Sequence, residues 1–289
     1  MTEDFRNDNS RHWTEYWKRV SSRGKMGGGG PMKAGFWDTR AGQFAKKPAG
    51  REEDRLTGIL GLVNQTGLEI DGARVLDIGA GTGALAIPLA ERGAKVTAVD
   101  FSSEMLRHLV QRADAARVKM ERTVLLSWDD VNLDAEGFRK NFDLVIASMT
   151  PAVQTPETFR LMLEAAKGVC YYSGWIDRCW DPAYHELYRM LFGEEFSHNS
   201  HGFTYPFMYL YMNGFRPIVR IRQDVWKGDE TVEEMVSTVA GFFGATKDID
   251  ETMKERMRDY FTARAATGKY SSQTTATTGT MVWDMRKRE

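Results

Sequence analysis

The chain of 289 residues is 42% hydrophobic and 27% charged, an ordinary balance for a globular protein with one substantial core or two small ones. A net charge of −1 and a pI near 6.6 create no overall field for nucleic acid or an anionic membrane. The two cysteines, Cys170 and Cys179, form no CxxC pair or disulfide framework, the N-terminus is polar, and no apolar run is long enough to span a bilayer, so a cytoplasmic protein is expected.

Residues 9–20 predict a helix, with Trp13, Tyr16, Trp17 and Val20 at three- and four-residue spacing on one face. Gly27 to Gly30 and Pro31 break regular structure, and Trp37 and Arg40 follow in an aromatic stretch. Residues 1–50 therefore read either as an arm packing its aromatics onto the remaining domain of 51–289, or as a lid over a ligand, hinged at the glycines. Residues 52–67 predict an amphipathic helix through Leu56, Ile59, Leu60 and Val63, stopped at Gly67.

Alternation of strands and helices begins at residue 74. Strands are expected over 74–78, 95–100, 122–126, 144–147 and 169–173, and helices over 84–92, after Ser102 or Ser103, and over 155–167. Continuous apolar strands separated by helices predict a parallel sheet covered on both faces. Beyond residue 175 the pattern changes: helices over 181–192 and 203–213, an alternating strand over 216–226, helices over 231–243 and 249–265, and a closing strand over 280–285. The Ser/Thr-rich stretch 271–278 reads as a turn or loop.

The organising stretch is Val75-Leu76-Asp77-Ile78-Gly79-Ala80-Gly81-Thr82-Gly83, a strand running into alternating glycines ahead of a helix. Glycines there allow a sharp turn and let a ligand approach the backbone without meeting a Cβ. Two readings compete. Gly79-x-Gly81-x-x-Ala84 meets the loose dinucleotide fingerprint, with Asp100 placed to grip a ribose. In the other, the acid Asp77 inside the strand belongs to the motif. Read that way, the chain resembles the class I S-adenosylmethionine-dependent methyltransferases. The resemblance covers about residues 50–175 and rests on four motifs in order: 75–83, the acid of Val99-Asp100-Phe101-Ser102, the cluster Ser127-Trp128-Asp129-Asp130, and Asp143 to Met149.

That resemblance implies a Rossmann-like α/β fold: a doubly wound, mostly parallel seven-stranded sheet with an N-terminal helical arm and a helical insert after the fifth strand. It implies S-adenosylmethionine as cofactor. Asp77, Gly79, Ala80, Gly81 and Gly83 would face its methionine moiety, Asp100 the ribose hydroxyls, Phe101, Ser102, Met105, Trp128 and Asp129 the adenosine side, and Ser148 the methyl end. The competing readings are that Asp77 orders the loop alone, that Asp100 caps the next helix, and that Trp128 belongs to the core.

Methyl transfer needs positioning first, and a base only where the acceptor must lose a proton. The enzymes of this superfamily that methylate amino groups of DNA or protein glutamine carry Asn/Asp-Pro-Pro-aromatic after the fourth strand. Here Ser148-Met149-Thr150-Pro151-Ala152 stands there, which turns the expectation away from those acceptors. Met149, Thr150, Trp37, Arg40, Trp175 and Tyr205 are the candidate acceptor contacts, with the insert at about 176–215 building the pocket. His185 or Tyr188, sharing a helix face, is the candidate base. His198-x-x-His201 lacks a third ligand nearby, so no metal is expected. The leading function is methyl transfer to a small-molecule acceptor, with no nucleic-acid or membrane partner and no oligomeric state specified. The alternatives are an RNA or protein methyltransferase, a non-catalytic S-adenosylmethionine sensor, and an NAD-dependent oxidoreductase.

Overall fold

A computed structural model describes residues 3–26, 34–45, 49–196, 202–244 and 246–287. Seven strands form one sheet among these residues: β1 (Arg74–Ile78), β2 (Lys95–Asp100), β3 (Arg122–Leu125), β4 (Phe142–Ser148), β5 (Ala166–Cys179), β6 (Ile218–Thr231) and β7 (Lys269–Asp284), in the order β3-β2-β1-β4-β5-β7-β6. β1 to β5 pair in parallel, whereas β7 runs antiparallel to both β5 and β6. The sheet is therefore mixed, and β1 and β4, neighbours separated by two other strands in the chain, flank the point where the strand order reverses. Open α/β sheets bind ligands at such a point, outside the carboxyl ends of the strands.

Strand pleating divides the apolar side chains between two cores. Leu76, Ile78, Val99, Val145, Ala147, Cys170 and Tyr172 face one cluster, and Val75, Val96, Ala98, Leu144, Ile146, Val169 and Tyr171 face the other. Helices cover both faces, so the central strands are apolar on both sides, as their unbroken hydrophobic runs predict.

The helices are α1 (Glu3–Met26), α2 (Ala34–Asp38), α3 (Ala41–Ala45), α4 (Ala49–Val63), α5 (Ala86–Glu91), α6 (Ser103–Ala115), α7 (Pro156–Ala165), α8 (Pro182–Phe192), α9 (Thr204–Met212), α10 (Val232–Phe243) and α11 (Glu251–Thr262). α4 ends where expected, through a 3-10 turn onto left-handed Gly67 (φ 77°). α5 begins at Ala86, two residues later than the sequence pattern predicts, because residues 82–85 continue the turn. α8, α10 and α11 enclose a third apolar cluster around Tyr184, Leu187, Val239, Phe243 and Phe261.

The largest departure from expectation lies in β5 and β7. Residues 271–278 are strand, not loop: β7 spans Lys269–Asp284 and pairs with β6 along its whole length. β5 likewise continues past Ser173 to Cys179, paired with Thr275 at its end. Thr and Ser side chains offer the backbone local alternatives that blur a strand signal, and two flanking strands override that local preference.

Among the described residues no helix is long and apolar enough to cross a membrane. The glycine stretch 27–30 lies outside them, as do His198 and His201.

Candidate functional site

Local chain geometry builds the loop after β1. Gly79 N–H and Ala80 N–H both donate to the Val99 carbonyl, at 2.8 and 3.0 Å, so the chain turns over the end of β2. Gly79, Gly81 and Gly83 all take positive φ, at 69°, 55° and 85°. At Gly79 a Cβ would stand 2.0 Å from Thr150 Oγ1, so the loop presses directly on the segment that follows β4. At Gly83 it would strike Ile87 and Leu109. Beside Gly81 the space is open, with Met105 Sδ at 4.0 Å from that position.

Asp100 fastens the loop to β2. Its Oδ2 accepts from Gly81 N–H at 2.8 Å, and its Oδ1 from Ser102 N–H at 2.9 Å. Burial pushes its carboxyl above the ordinary range. The Ser102, Gly81 and Phe101 N–H groups pull it down, and the nearby Asp38 carboxylate adds to the rise. Ser102 caps α6 by accepting from Met105 N–H, and α6's Arg112 donates to the Thr82 carbonyl at 2.9 Å, clamping the loop from its far side.

An arm residue completes this edge. Asp38 Oδ1 accepts from Ser102 Oγ at 2.6 Å and from Glu104 N–H at 3.3 Å, joining α2 to the start of α6. No motif marks Asp38 in the sequence, since it acts from sixty residues upstream. Trp37 packs on Phe44 in the same arm, and Arg40 joins α2 to α3 through its N–H to the Trp37 carbonyl.

Across the crevice, Met149 holds a left-handed conformation (φ 52°) that a side chain of its size adopts only under constraint. Its N–H donates to the Ser173 carbonyl, and Ser148 Oγ lies 2.9 Å from Ser173 Oγ. Thus Asp77, Gly79, Ala80, Gly81, Gly83, Asp100, Phe101, Ser102, Met105, Ser148, Met149 and Thr150 gather at the carboxyl ends of β1, β2 and β4. Asp77 is itself buried at the end of β1. Asp129 is exposed on a 3-10 turn beyond β3.

Other candidates go elsewhere. Trp128 is 2% exposed, and its Nε1 donates to the Thr158 carbonyl beneath α7; an indole sealed there presents no surface to an adenine, so it is core. His185 and Tyr188 sit in the α8, α10, α11 assembly, His185 exposed and edge-on to Phe196, Tyr188 against Phe192 and Phe243. Their shared helix face serves ring packing, and the structure does not group them with the glycine loop. Tyr205 stacks on Trp17 and receives the Trp13 Nε1–H at its carbonyl, which makes it a seat for α1. Trp175 belongs to a group that the sequence did not single out, with Trp226 and Arg178. Cys170 is fully buried, and burial pushes its thiol up, so it is inert core. Among the described residues no three His, Cys, Asp or Glu could hold a metal.

The residues present fit S-adenosylmethionine. The open cradle at Gly81, which a Cβ would fill, admits a ligand close to the backbone, and the Asp100 carboxylate beside it keeps lone pairs for hydroxyl donors.

Comparison with known proteins agrees. Residues 75–174 match the family model described as a methyltransferase domain. An uncharacterised protein of Mycobacterium tuberculosis is 39% identical over 89 residues, 30% of this chain and 30% of its own length. The malonyl-[acyl-carrier protein] O-methyltransferase of Geobacter sulfurreducens is 41% identical over 97 residues, 32% of each chain. The matched segments thus span about a third of these relatives. A Bacillus halodurans crystal structure assigned as a methyltransferase superposes with a TM-score of 0.50 at 13% identity, covering 79% of this chain and 99% of that one, which establishes the shared fold. Residues 75–174 therefore carry a methyltransferase domain, in a chain with the Rossmann-like α/β fold.

Proposed function

We propose that the protein transfers a methyl group from S-adenosylmethionine to a small-molecule acceptor. The observation that carries this reading is the open space beside Gly81, next to the buried Asp100 carboxylate at the carboxyl ends of β1 and β2, with arm residue Asp38 bonded to Ser102 along the same edge. When bound, the cofactor supplies a methyl group already activated by the positive sulfonium.

The chain's part is to hold and enclose. Gly79, Gly81 and Asp77 would hold the methionine moiety, and Asp100 would accept from the ribose hydroxyls with the lone pairs left by Gly81 and Ser102. An ionised acceptor makes the stronger hydrogen bond. Ser148, Met149 and Thr150 stand at the end of β4, where the acceptor would approach, and the strained Met149 backbone keeps that edge fixed. α2 and α3 lie on α6, where they exclude water from the adenosine side.

Residues beyond the matched domain contribute to acceptor choice along with Ser148, Met149 and Thr150 within it. The relatives that share residues of this domain include a protein named for a carrier-bound malonyl group and one named for ribosomal RNA, so the domain alone selects neither. Aromatic walls at Trp175 and Trp226 favour a compact organic acceptor. A methyl-transfer screen of metabolite fractions with radiolabelled S-adenosylmethionine tests this. A labelled small product supports the reading. Label that appears only in RNA or protein contradicts it, and absence of product despite tight cofactor binding makes the protein a sensor.

A further inference from the structure

Arg178 lies near the end of β5 with its guanidinium carbon 4.3 Å from the Trp175 ring centroid, 4.4 Å from Trp180 and 4.8 Å from Trp226. Three indoles surround one cation. Their faces attract it, but they offer no hydrogen-bond acceptor. Arg178 Nε is buried without a hydrogen-bond partner among the described residues. Elsewhere in the chain arginines meet carboxylates: Arg139 meets Asp134 and Glu164, Arg258 meets Glu233, and Arg286 meets Asp284. No Asp or Glu among the described residues acts on Arg178; burial lowers its pKa, and the Tyr184 hydroxyl is the one group opposing that. Arg178 is half-buried, with its Nε covered while the rest of the guanidinium keeps access to solvent, and a partly desolvated cation without a counter-charge is ordinarily paired in native proteins.

The position gives the feature its meaning. β4 and β5 run in parallel, and the Met149 N–H to Ser173 carbonyl bond marks the carboxyl edge of the sheet. Trp175 comes two residues later, about 7 Å along the strand. The Arg178 guanidinium lies between that ring and Trp180, at 4.3 and 4.4 Å from their centroids. Trp226, 43% exposed and edge-on to Trp175, leaves an apolar wall open to solvent on the β6 side.

We propose that Arg178, with Trp175, Trp180 and Trp226, is the anion subsite of the acceptor pocket: the acceptor carries an oxyanion, a carboxylate or a phosphate, on a flat or apolar body. The guanidinium fork takes the oxyanion, and the indoles take the body. The assignment of this anion to the methyl acceptor rests on the methyl-transfer reading above; the anion site itself does not.

Fluorescence titration of the full chain tests it, since the three indoles report on Arg178. Benzoate and phenyl phosphate represent the two oxyanions, benzamide is the neutral isostere, and tetramethylammonium represents a cation that would compete for the indole faces. Benzoate or phenyl phosphate is expected to give a saturable change and to separate the two sources of oxyanion by relative affinity. Benzamide and tetramethylammonium should give none. Arg178→Gln should weaken the better anion by about tenfold or more, the range of a lost charge-assisted hydrogen bond. Arg178→Lys, which keeps the charge but not the fork, should weaken it less and stands in if the Gln variant does not fold. Unchanged affinity in the folded variant, equal binding of benzamide, or saturation by tetramethylammonium alone overturns the subsite. Parallel titration with S-adenosylhomocysteine separates the two ideas. Its affinity should survive Arg178→Gln; failure to bind the wild type contradicts the methyltransferase reading while leaving the anion result standing.

Discussion

Gly79 meets two constraints at once, a left-handed backbone and a close approach to Thr150. Gly79→Ala should therefore destabilise the fold by about 1–3 kcal/mol, the cost of a strained backbone residue, and should also displace Thr150 from the crevice. Thermal unfolding checks the first effect; weakened S-adenosylhomocysteine binding in calorimetry checks the second. Asp100 makes a prediction about pH. Its carboxyl is raised by burial, so ionisation costs the folded state. The stability that it contributes is fully present below the ordinary carboxylate range and is lost as pH rises through its folded value. Relative to Asp100→Asn, the wild type should gain melting temperature as pH falls from neutrality through that interval, while its cofactor affinity declines over the same range. A pH-independent difference between the two proteins would refute the assignment. Asp77 was legible as a candidate because the glycines follow its strand, and Asp100 because it ends the next apolar run. Asp38 and Arg178 were not, since Asp38 acts through Ser102 and Glu104, and Arg178 needs Trp226 beside its neighbours Trp175 and Trp180, contacts that only the fold brings together.

At the scale of elements, α1 is held by its aromatic face, as its spacing predicts. Trp17 is 2% exposed, donates to the Gln154 carbonyl at 2.9 Å, and packs on Phe159 and Tyr205. Trp17→Ala should cost about 3–5 kcal/mol, the range for emptying a large aromatic site. Denaturant unfolding measures this; a loss under 1 kcal/mol would mean that α1 docks without its anchor. Asp38 gives the shorter arm helices a separate hold. Asp38→Ala should raise hydrogen exchange at the Ser102 and Glu104 amides and cost about 0.5–2 kcal/mol, as a lost cap does. Strand ends proved harder to read than strand centres. β1 and β2 agree with their apolar runs residue for residue, whereas the outer parts of β5 and β7 lack such runs and exist because each strand completes the other's ladder.

For the whole molecule, the matched domain ends at residue 174, and the proposed anion subsite begins at Trp175. The donor side was written in local motifs, where a glycine's freedom and an acid's spacing are sequence properties. The proposed acceptor side draws on β5 and β6, so no contiguous pattern announces it. The sequence suggests an insert after β5 as the pocket and His185 or Tyr188 as a base; the structure packs Tyr188 against the third apolar cluster, leaves His185 exposed beside Phe196, and sets Arg178 among the tryptophans. The account as a whole depends on Asp100 and the glycine loop forming an S-adenosylmethionine site. Isothermal titration calorimetry of the wild type and Asp100→Ala with S-adenosylhomocysteine, and with NAD as a competitor of the alternative class, tests this most directly. Saturable S-adenosylhomocysteine binding by the wild type, lost in a folded Asp100→Ala protein, with no heat from NAD, is the predicted result; binding of NAD alone, or undiminished affinity in the variant, would contradict it.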